Sequence, residues 1–373
     1  MDKKRILLMY ISENSGHHQA SLAIERAFYE ISDDVETLNV NSFNYTNPIL
    51  EKIISKTYAS IIKRRPEVWG YLYDNPKIVM RTKRLRESIH RYDSLKMREL
   101  ITGFRPHAVV CTQAFPCGIM GDYKKRRGNE FFLAGVLTDY APHSYWPNSN
   151  IDMYFVPSEK TRERLVANGV SKETISLTGI PVDHRFRKII QKEKVFAKLG
   201  LHAQKNVILV MGGSQGLGPI KEIVRSLDSA EADFQMIVIS GTNARLAKYL
   251  SKKAKVSRKK IVSLGFVKNI DEIMSISTLI ITKPGGITIS EALAKSLPIV
   301  IIRPIPGQEA MNTEHLLSER VAVKMDNLNH AGAFIGELLN NPALIGGMRE
   351  RASQLAKPES ALNVAKALLG RIM

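Results

Sequence analysis

Short apolar runs alternate with amphipathic helical stretches along almost the whole chain. Eight of these runs predict strands: Ile6–Ile11, Ala108–Thr112, Phe131–Leu137, Met153–Val156, Val207–Met211, Gln235–Ile239, Leu279–Thr282 and Ile299–Arg303. Strands that are apolar throughout and separated by amphipathic helices are typical of parallel sheets covered on both faces. The pattern therefore predicts an α/β protein built from doubly wound sheets.

The predicted strands fall into two groups, separated by the charged stretch 178–206. We place a boundary there and predict two Rossmann-like domains, 1–178 and 179–357, that face a central cleft. Each group has a glycine-bearing turn after its first strand, at residues 13–18 and 212–218. Ligands of open α/β sheets bind beyond the carboxyl ends of the strands. Both turns are therefore predicted to border a ligand site.

The composition is that of a globular protein, with 44% hydrophobic and 24% charged residues among 373. No apolar run approaches the roughly 20 residues needed to span a bilayer. The basic start of the chain resembles a signal peptide, but its apolar run is short and fits a buried strand better. Cys111 and Cys117 match no metal-ligand spacing and no disulfide framework, which predicts a reducing, cytoplasmic location.

The chain is strongly basic, with 54 Lys/Arg against 36 Asp/Glu and a net charge of +18. Such an excess indicates an acidic polymer or an anionic membrane as partner. Residues 51–99 hold thirteen Lys/Arg and six Asp/Glu, a local +7. The sequence contains no recognisable reading helix and no aromatic RNA platform, so a nucleic acid is disfavoured.

The basic stretch within 44–100 also carries apolar residues at helical spacing. A basic amphipathic helix beside Trp and Tyr fits shallow insertion among lipid headgroups. The alternative is that its apolar face docks on the first domain and leaves the charges in water. We predict that anionic membrane lipids are met by Trp69, Tyr71, Arg81, Lys83, Arg84 and Arg86.

Residues 282–309 combine a strand end, a Lys-Pro-Gly-Gly turn, a helix, a second strand and a polar loop. Gly285 and Gly286 allow backbone N–H groups at the helix start to face an anion. Glu291 follows about one turn later, within reach of a sugar hydroxyl, and Gln308 and Glu309 follow the next strand. This order indicates a nucleotide-sugar site; the alternative is an ordinary turn followed by a solvated loop.

The turn 212–218, GGSQGLG, has a glycine spacing close to a dinucleotide fingerprint. The next strand ends without the carboxylate that would bind a ribose of NAD, so NAD is disfavoured. We find no Asp-x-Asp, no His/Cys ligand cluster and no Walker A pattern. The sequence therefore predicts neither a metal nor a cofactor, and a bound diphosphate would be neutralised by N–H groups and basic side chains.

His17 and His18 lie where the first helix is expected to begin. A histidine at a strand-to-helix turn is either a solvated side chain or a general base, because its ordinary pKa lies near neutrality. Asp139 follows the strand 131–137 at the same sheet edge. It can orient the histidine, contact an acceptor or cap the next segment.

Several motifs resemble one known family. They are SGHHQAS, LTDYAPHSYWPNSNIDMYFVPSE, TGIPV, MGGSQG and TKPGGITISEALAKSLPIVI followed by PIPGQEAMN. In this order they resemble the monogalactosyldiacylglycerol synthases and processive diacylglycerol glucosyltransferases, and more distantly MurG. The resemblance spans most of the chain. It implies a GT-B fold in which a C-terminal helix, 358–373, packs back on the first domain.

The resemblance also implies roles for individual residues. His17 becomes the catalytic base, although Asn14 replaces a glycine of the family loop and leaves open which of His17 and His18 faces the acceptor. From its place at the same sheet edge, we predict Asp139 as a second catalytic residue. The residues implied for the nucleotide are Gly16, Gly213, Ser214, Phe266, Val267, Gly285, Gly286, Thr288 and Glu291. Those implied for the sugar are Gln308, Glu309 and Asn312.

The implied reaction is an inverting, metal-free transfer of a hexose from a UDP-sugar to the hydroxyl of diacylglycerol, which makes a glycolipid. The enzyme is then expected to be peripheral on the inner face of the cell membrane. The transferred sugar is glucose or galactose, and the sequence leaves this choice open because the two differ in one hydroxyl. The alternatives are a MurG-like transferase or another UDP-sugar enzyme of this fold, such as an epimerase.

Overall fold

The computed structural model describes residues 3–13, 15–46, 96–128 and 130–372. They divide into two compact units. The first comprises the described residues up to His184, with Ile305–Met311 and the residues from Lys357 onward; the second comprises Arg185–Pro304 and Asn312–Ala356. Each unit contains a six-stranded sheet whose strand pairs are all parallel. The predicted α/β class is confirmed.

Strands and helices alternate through most of the described chain. The first group is β1 (Lys4–Tyr10), α1 (Gly16–Ile31), β2 (Val35–Asn41), α2 (Ser42–Thr46), β3 (Ala108–Cys111), α3 (Ala114–Arg127), β4 (Phe132–Val136), β5 (Met153–Val156), α4 (Glu159–Ala167) and β6 (Ile175–Leu177). Residues 96–104 are also helical. The second group is α5 (Lys192–Leu199), β7 (Asn206–Met211), α6 (Ile220–Asp228), β8 (Phe234–Ile239), α7 (Ala244–Val256), β9 (Ile261–Leu264), α8 (Ile270–Ile276), β10 (Leu279–Thr282), α9 (Gly286–Ala294), β11 (Ile299–Ile302), α10 (Gln308–Ser318), β12 (Ala322–Met325), α11 (Ala331–Leu339), α12 (Pro342–Leu355) and α13 (Ser360–Ile372). Short 3₁₀ turns cover Lys172–Thr174, His184–Arg187 and Leu328–His330.

The first sheet has the order β2-β1-β3-β4-β5-β6 and a hydrophobic core on each face. Alternate residues of β1 point to opposite faces, so Leu7 and Met9 enter one core while Ile6 and Leu8 enter the other. The second of these cores is shared with α1 and with α13. The last described helix therefore covers the same sheet as the first.

The second sheet has the order β12-β11-β10-β7-β8-β9. Its central strands β8, β10 and β11 are buried along their whole length. β7 and β10 are neighbours, with Met211 paired to Thr282. The loops that follow these two strands therefore leave the sheet side by side.

The eight predicted strands are all present, within two residues at each end. Four further strands, β2, β6, β9 and β12, were not predicted. They are the four edge strands of the two sheets. An edge strand has one open side and is partly exposed, as in β2, VETLNVN, where only the two end residues are buried. It therefore shows no continuous apolar run.

The residues predicted to meet the membrane, Trp69, Tyr71, Arg81, Lys83, Arg84 and Arg86, lie outside the described residues. Within the described part of the chain, every helix is too short or too polar to cross a bilayer.

Candidate active site

His17 lies at the start of α1, beyond the carboxyl end of β1. Ser15 caps this helix, because the N–H of His18 donates to Ser15 Oγ (3.2 Å). Gly16 is the first helical residue, so His17 is in the first turn. The loops after β3 and β4 leave the same edge, since β1, β3 and β4 are consecutive in the sheet. Three loops therefore converge around the histidine.

The His17 ring is oriented by two threonines from those loops. Its Nδ1 atom lies 2.9 Å from the carbonyl oxygen of Thr112 and 2.9 Å from Thr138 Oγ1. A carbonyl oxygen only accepts, so Nδ1 must carry the hydrogen for the bond to Thr112 to form. In the neutral ring the lone pair then lies on Nε2. The Thr112 hydroxyl also donates to the carbonyl oxygen of His17 (2.9 Å), which fixes the main chain of the turn.

Burial lowers the pKa of His17 from its ordinary value, and the hydrogen bond to the Thr112 carbonyl opposes this change. Desolvation penalises the charged ring, so the neutral form is favoured near pH 7. A neutral histidine with its lone pair on Nε2 can accept a proton. The geometry of His17 thus fits a general base, and that role stays a prediction.

His18 has different surroundings. Its ring stacks on Tyr10, with ring centroids 4.1 Å apart and planes 9° from parallel. Its Nδ1 lies 3.4 Å from Glu13 Oε2. Partial burial lowers the pKa of His18, while the charges of Glu13 and Glu25 raise it. Of the two histidines, His17 is the one whose ring is held by the loops after β3 and β4.

Asp139 follows directly after Thr138 and is partly exposed. The hydroxyl of Thr138, rather than the Asp139 carboxylate, lies on Nδ1 of His17. The catalytic role of Asp139 stays a prediction. Sequence reasoning missed Thr112 and Thr138 as partners of His17, and the available signal was that each is the polar residue at the carboxyl end of an apolar strand.

In the second unit, the turn 212–218 depends on its glycines. A Cβ on Gly212 would lie 1.8 Å from the carbonyl oxygen of Leu217, and one on Gly216 would lie 2.0 Å from that of Ser240. Gly216 also has a left-handed φ of 59°. Any residue other than glycine at these two positions would force the backbone to shift.

Gly213 differs from these two glycines, because no described atom would lie within 4 Å of a Cβ there. Its φ of 67° still favours glycine. The next residue, Ser214, is tied to the β8–α7 turn, since its carbonyl oxygen accepts from the N–H of Thr242 (2.9 Å). The turn is thus held by a main-chain hydrogen bond to the β8–α7 turn, while the space beside Gly213 is open.

The Lys-Pro-Gly-Gly turn has the same character. Gly285 is the N-cap of α9 and has no side chain that could accept from the first-turn N–H groups. Its φ is −71°, which any residue adopts, and a Cβ there would meet no described atom within 4 Å. Neither strain nor packing therefore requires glycine. The Gly285 N–H donates to the Lys283 carbonyl oxygen (2.9 Å), so an anion would meet the N–H groups that follow, from Gly286 onward. Its approach to them would explain the missing side chain at Gly285.

The other predicted nucleotide residues lie in the helix α9 or in the loop after β9. Thr288 and Glu291 lie in the first two turns of α9 and are partly exposed. Phe266, which is 48% exposed, and Val267 follow β9, two strands from β7. Strands are about 4.8 Å apart, so roughly 10 Å separate the β9 loop from the 212–218 turn. That separation suits a base and a diphosphate bound at opposite ends of one nucleotide.

Gln308 and Glu309 form the first turn of α10. Glu309 Oε2 accepts from the N–H of Ile305 (2.8 Å), so this carboxylate stabilises its own loop. Asn312 has no exposed surface, and its amide donates to the carbonyl oxygen of Pro284 (2.9 Å). Asn312 therefore stabilises the Lys-Pro-Gly-Gly turn. The sugar contacts of Gln308, Glu309 and Asn312 stay predictions.

The described residues contain no group of three His, Cys, Asp or Glu side chains placed to hold a metal ion. The expectation that the enzyme uses no metal or cofactor stays a prediction.

Comparison with solved structures identifies the fold class of the protein. MurG from Acinetobacter baumannii superposes with a TM-score of 0.63 at 15% identity, over 98% of this chain and 99% of that one. The UDP complex of MnaA from S. aureus gives a TM-score of 0.63 at 13% identity, over 99% and 98%. The two parallel sheets and these likenesses define a GT-B fold.

Two family models match the sequence itself. Residues 17–182 match the model for monogalactosyldiacylglycerol (MGDG) synthase, and residues 207–323 match the glycosyltransferase family 28 C-terminal domain. The processive diacylglycerol beta-glucosyltransferase of Bacillus pumilus is 26% identical over 365 residues, which cover 97% of this chain and 93% of that protein. The chain thus contains an MGDG synthase domain followed by a glycosyltransferase family 28 C-terminal domain, which confirms the resemblance found in the motifs.

Proposed function

We propose that this glycosyltransferase moves a hexose from a UDP-sugar to the hydroxyl of diacylglycerol with inversion at the anomeric carbon. The observation that carries the proposal is His17, whose Nδ1 is fixed on the Thr112 carbonyl and whose Nε2 keeps a lone pair. The substrate class is supported by the relative from Bacillus pumilus, which is named as a diacylglycerol glucosyltransferase.

The reaction needs a base and a stabilised leaving group. The acceptor oxygen attacks the anomeric carbon from the side opposite UDP, while the bond from that carbon to the diphosphate oxygen breaks and its electrons pass to UDP. His17 takes the hydroxyl proton on Nε2 as the new bond forms. Without that transfer the attacking oxygen would carry a positive charge in the transition state.

The charge that develops on UDP requires fixed donors. Helix N-termini and backbone N–H groups supply them without reorganisation during the reaction. Gly213, Ser214, Gly285 and Gly286 are the proposed diphosphate contacts, since the open space at Gly213 and Gly285 admits a ligand to the backbone. Because N–H donors and basic side chains can neutralise the diphosphate, we expect chelation with EDTA to leave turnover unchanged.

The ribose, the uracil and the hexose are assigned to residues of α9, of the loop after β9 and of α10. Glu291 would bind the ribose, the backbone at Phe266 and Val267 the uracil, and Gln308 and Glu309 the hexose hydroxyls. A UDP donor is supported by the MnaA structure, which contains UDP on a similar fold. The acceptor would be met at the inner face of the cell membrane through the basic segment within 44–100.

Product analysis tests the proposal directly. The protein is incubated with UDP-glucose or UDP-galactose, with and without diacylglycerol vesicles, and lipids are separated by thin-layer chromatography while free UDP is measured. We expect a glycolipid from one of the donors and UDP release only when diacylglycerol is present. Equal UDP release without diacylglycerol, or conversion of the sugar nucleotide alone, would contradict the proposal and favour an epimerase or a different acceptor.

A further inference from the structure

Most of the positive charge lies in the second unit. Arg185–Pro304 and Asn312–Ala356 contain 25 Lys/Arg and 13 Asp/Glu, which gives +12 of the total +18. The first unit is left with +6, although it includes the basic segment 51–99. The lipid contact expected in that segment therefore does not account for the basic character of the chain.

The charge of the second unit is concentrated around α7. Residues 244–260 contain eight Lys/Arg and no Asp/Glu. Leu246 and Leu250 bury one face of α7 in the core of the unit. The opposite face carries four exposed cations at positions i, i+3, i+7 and i+10, which we call the cationic stripe: Arg245, Lys248, Lys252 and Lys255.

The cationic stripe has no counter-charge in the described part of the chain, where none of its four side chains makes an ion pair or a hydrogen bond. The carboxylate that α7 contacts is that of Asp228, and it is occupied by Lys253 (2.6 Å) and by the N–H of Arg258 (2.8 Å). Like charges three and four residues apart on a helix repel each other. An external anion would remove that repulsion.

An apolar side chain stands at the end of the stripe. Val256 is the last residue of α7 and is 76% exposed. It follows Lys255 directly and lies one turn after Lys252, so cations and an aliphatic group share one surface. A bilayer with anionic headgroups offers phosphates to the ammonium groups and acyl chains to the valine. The stripe includes one arginine and no exposed aromatic side chain, which makes it a poor reader of nucleic acid.

We propose that the cationic stripe and Val256 form a docking surface for an anionic lipid bilayer, separate from the segment 44–100 and carried by the unit that holds the nucleotide turns. The inference rests on the proposed function in one respect, namely that an enzyme with a lipid acceptor works at a bilayer. The surface would hold the second unit at the membrane through charges that take no part in the chemistry.

A charge-matched pair of variants tests this surface in the full chain. The stripe variant is Lys248→Gln/Lys252→Gln/Lys255→Gln. The control is Lys192→Gln/Lys194→Gln/Lys198→Gln, which removes the same charge from exposed positions on α5 of the same unit. Binding is measured by co-sedimentation with phosphatidylcholine vesicles, with and without phosphatidylglycerol. One cation near an anionic surface contributes roughly fivefold in affinity, so the stripe variant should bind anionic vesicles on the order of a hundredfold more weakly.

The control should lose much less, and Val256→Ser should weaken binding by a smaller factor than the stripe variant. Equal losses in stripe variant and control would overturn the proposal, because net charge alone would then explain binding. Unchanged vesicle binding in the stripe variant, with or without a loss of affinity for duplex DNA or RNA, would also overturn it. Turnover on detergent-dispersed diacylglycerol separates this test from the proposed function: we expect the stripe variant to match the parent protein there, whereas an inactive parent would refute the function and leave the vesicle result standing.

Discussion

The Nδ1 atom of His17 lies 2.9 Å from the main-chain carbonyl oxygen of Thr112, 95 residues further along the chain. Because the acceptor belongs to the backbone, no substitution at position 112 removes it. The tautomer of the ring is therefore set by the fold of the first sheet rather than by a neighbouring carboxylate. What can be varied is the ring itself and the Thr138 hydroxyl on the same nitrogen.

Replacing the two histidines separately should identify the base. His17→Ala should lower kcat by about 10²–10⁴-fold, the usual contribution of a general base. UDP binding should persist, since the predicted diphosphate turns belong to the second unit. His18→Ala should cost at most about tenfold, because it removes a stacking contact with Tyr10. Steady-state kinetics and calorimetric UDP titration check both; a larger kcat loss in the His18 variant would reverse the assignment.

Thr138→Val should act on the rate and not on substrate affinity. The change keeps the shape of the side chain and removes the oxygen 2.9 Å from Nδ1 of His17. One hydrogen bond is worth about 1 kcal/mol, so we expect kcat to fall about fivefold to tenfold with little change in KM for the donor. Thr138→Ser restores the oxygen and should restore kcat. Failure of that rescue at unchanged Tm would show that the hydroxyl does not position the ring.

The pH dependence should report the lowered pKa of His17. Desolvation keeps the ring neutral to lower pH, so the acidic limb of kcat/KM should lie below pH 6.5, the ordinary value for histidine. The sign for stability follows from the same shift. As the pH falls through 6.5, the unfolded chain binds a proton at this residue before the folded chain does, and stability is lost.

The acidic limb of the kcat/KM profile and the loss of stability at low pH are both expected from protonation of His17. Urea unfolding of the parent protein and of His17→Ala at several pH values measures the difference in stability, which should be constant above about pH 7 and shift in favour of the variant below pH 6.5. An acidic limb that lies above the ordinary value, or a difference independent of pH, would contradict the environment described for His17.

Gly285→Ala should separate folding from ligand binding. The position has an ordinary φ of −71° and open space around the absent Cβ, so Tm should change little. UDP affinity should fall at least about tenfold, roughly 1.4 kcal/mol, because the methyl group occupies the path of an anion to the helix N–H groups. The control is Gly346→Ala in α12, where a Cβ also meets no described atom within 4 Å. That variant should gain about 0.5–1 kcal/mol of stability and bind UDP normally, and equal UDP affinity in both variants would argue against an anion at Gly285.

The sequence predicted the central strands and missed the edges for one physical reason. A central strand is paired on both sides and covered on both faces, so β8 and β10 are buried along their whole length and each contains one polar residue, Gln235 and Thr282. An edge strand such as β12, AVKM, is partly exposed, and Lys324 interrupts its short apolar run. The predicted lipid contact of the basic segment is not tested, because residues 47–95 lie outside the described residues.

The glycine-bearing turn 212–218 was predictable, because the backbone there imposes a demand that only glycine meets. At Gly216, for example, a side chain would collide with the Ser240 carbonyl. The partners of His17 were missed, because Thr112 and Thr138 lie 95 and 121 residues away from the ring, and their only signal was a place at the end of an apolar strand. Asn312 has a structural role that its position in a motif did not indicate, since its buried amide donates to the carbonyl oxygen of Pro284; its sugar contact stays a prediction.

The packing of α13 bears on how the protein is made. Val364 and Leu368 of this helix lie in one core with Ile6 and Leu8, so the first unit is incomplete until the second has been translated. At ribosomal rates of about 5–20 residues per second, the nascent β1 and α1 wait on the order of ten seconds or more for their partner. The core on the other face of the same sheet is available much earlier, since its described residues run no further than Ile175. We therefore expect the face of β1 that carries Ile6 and Leu8 to be the last part of the first unit to be covered during synthesis.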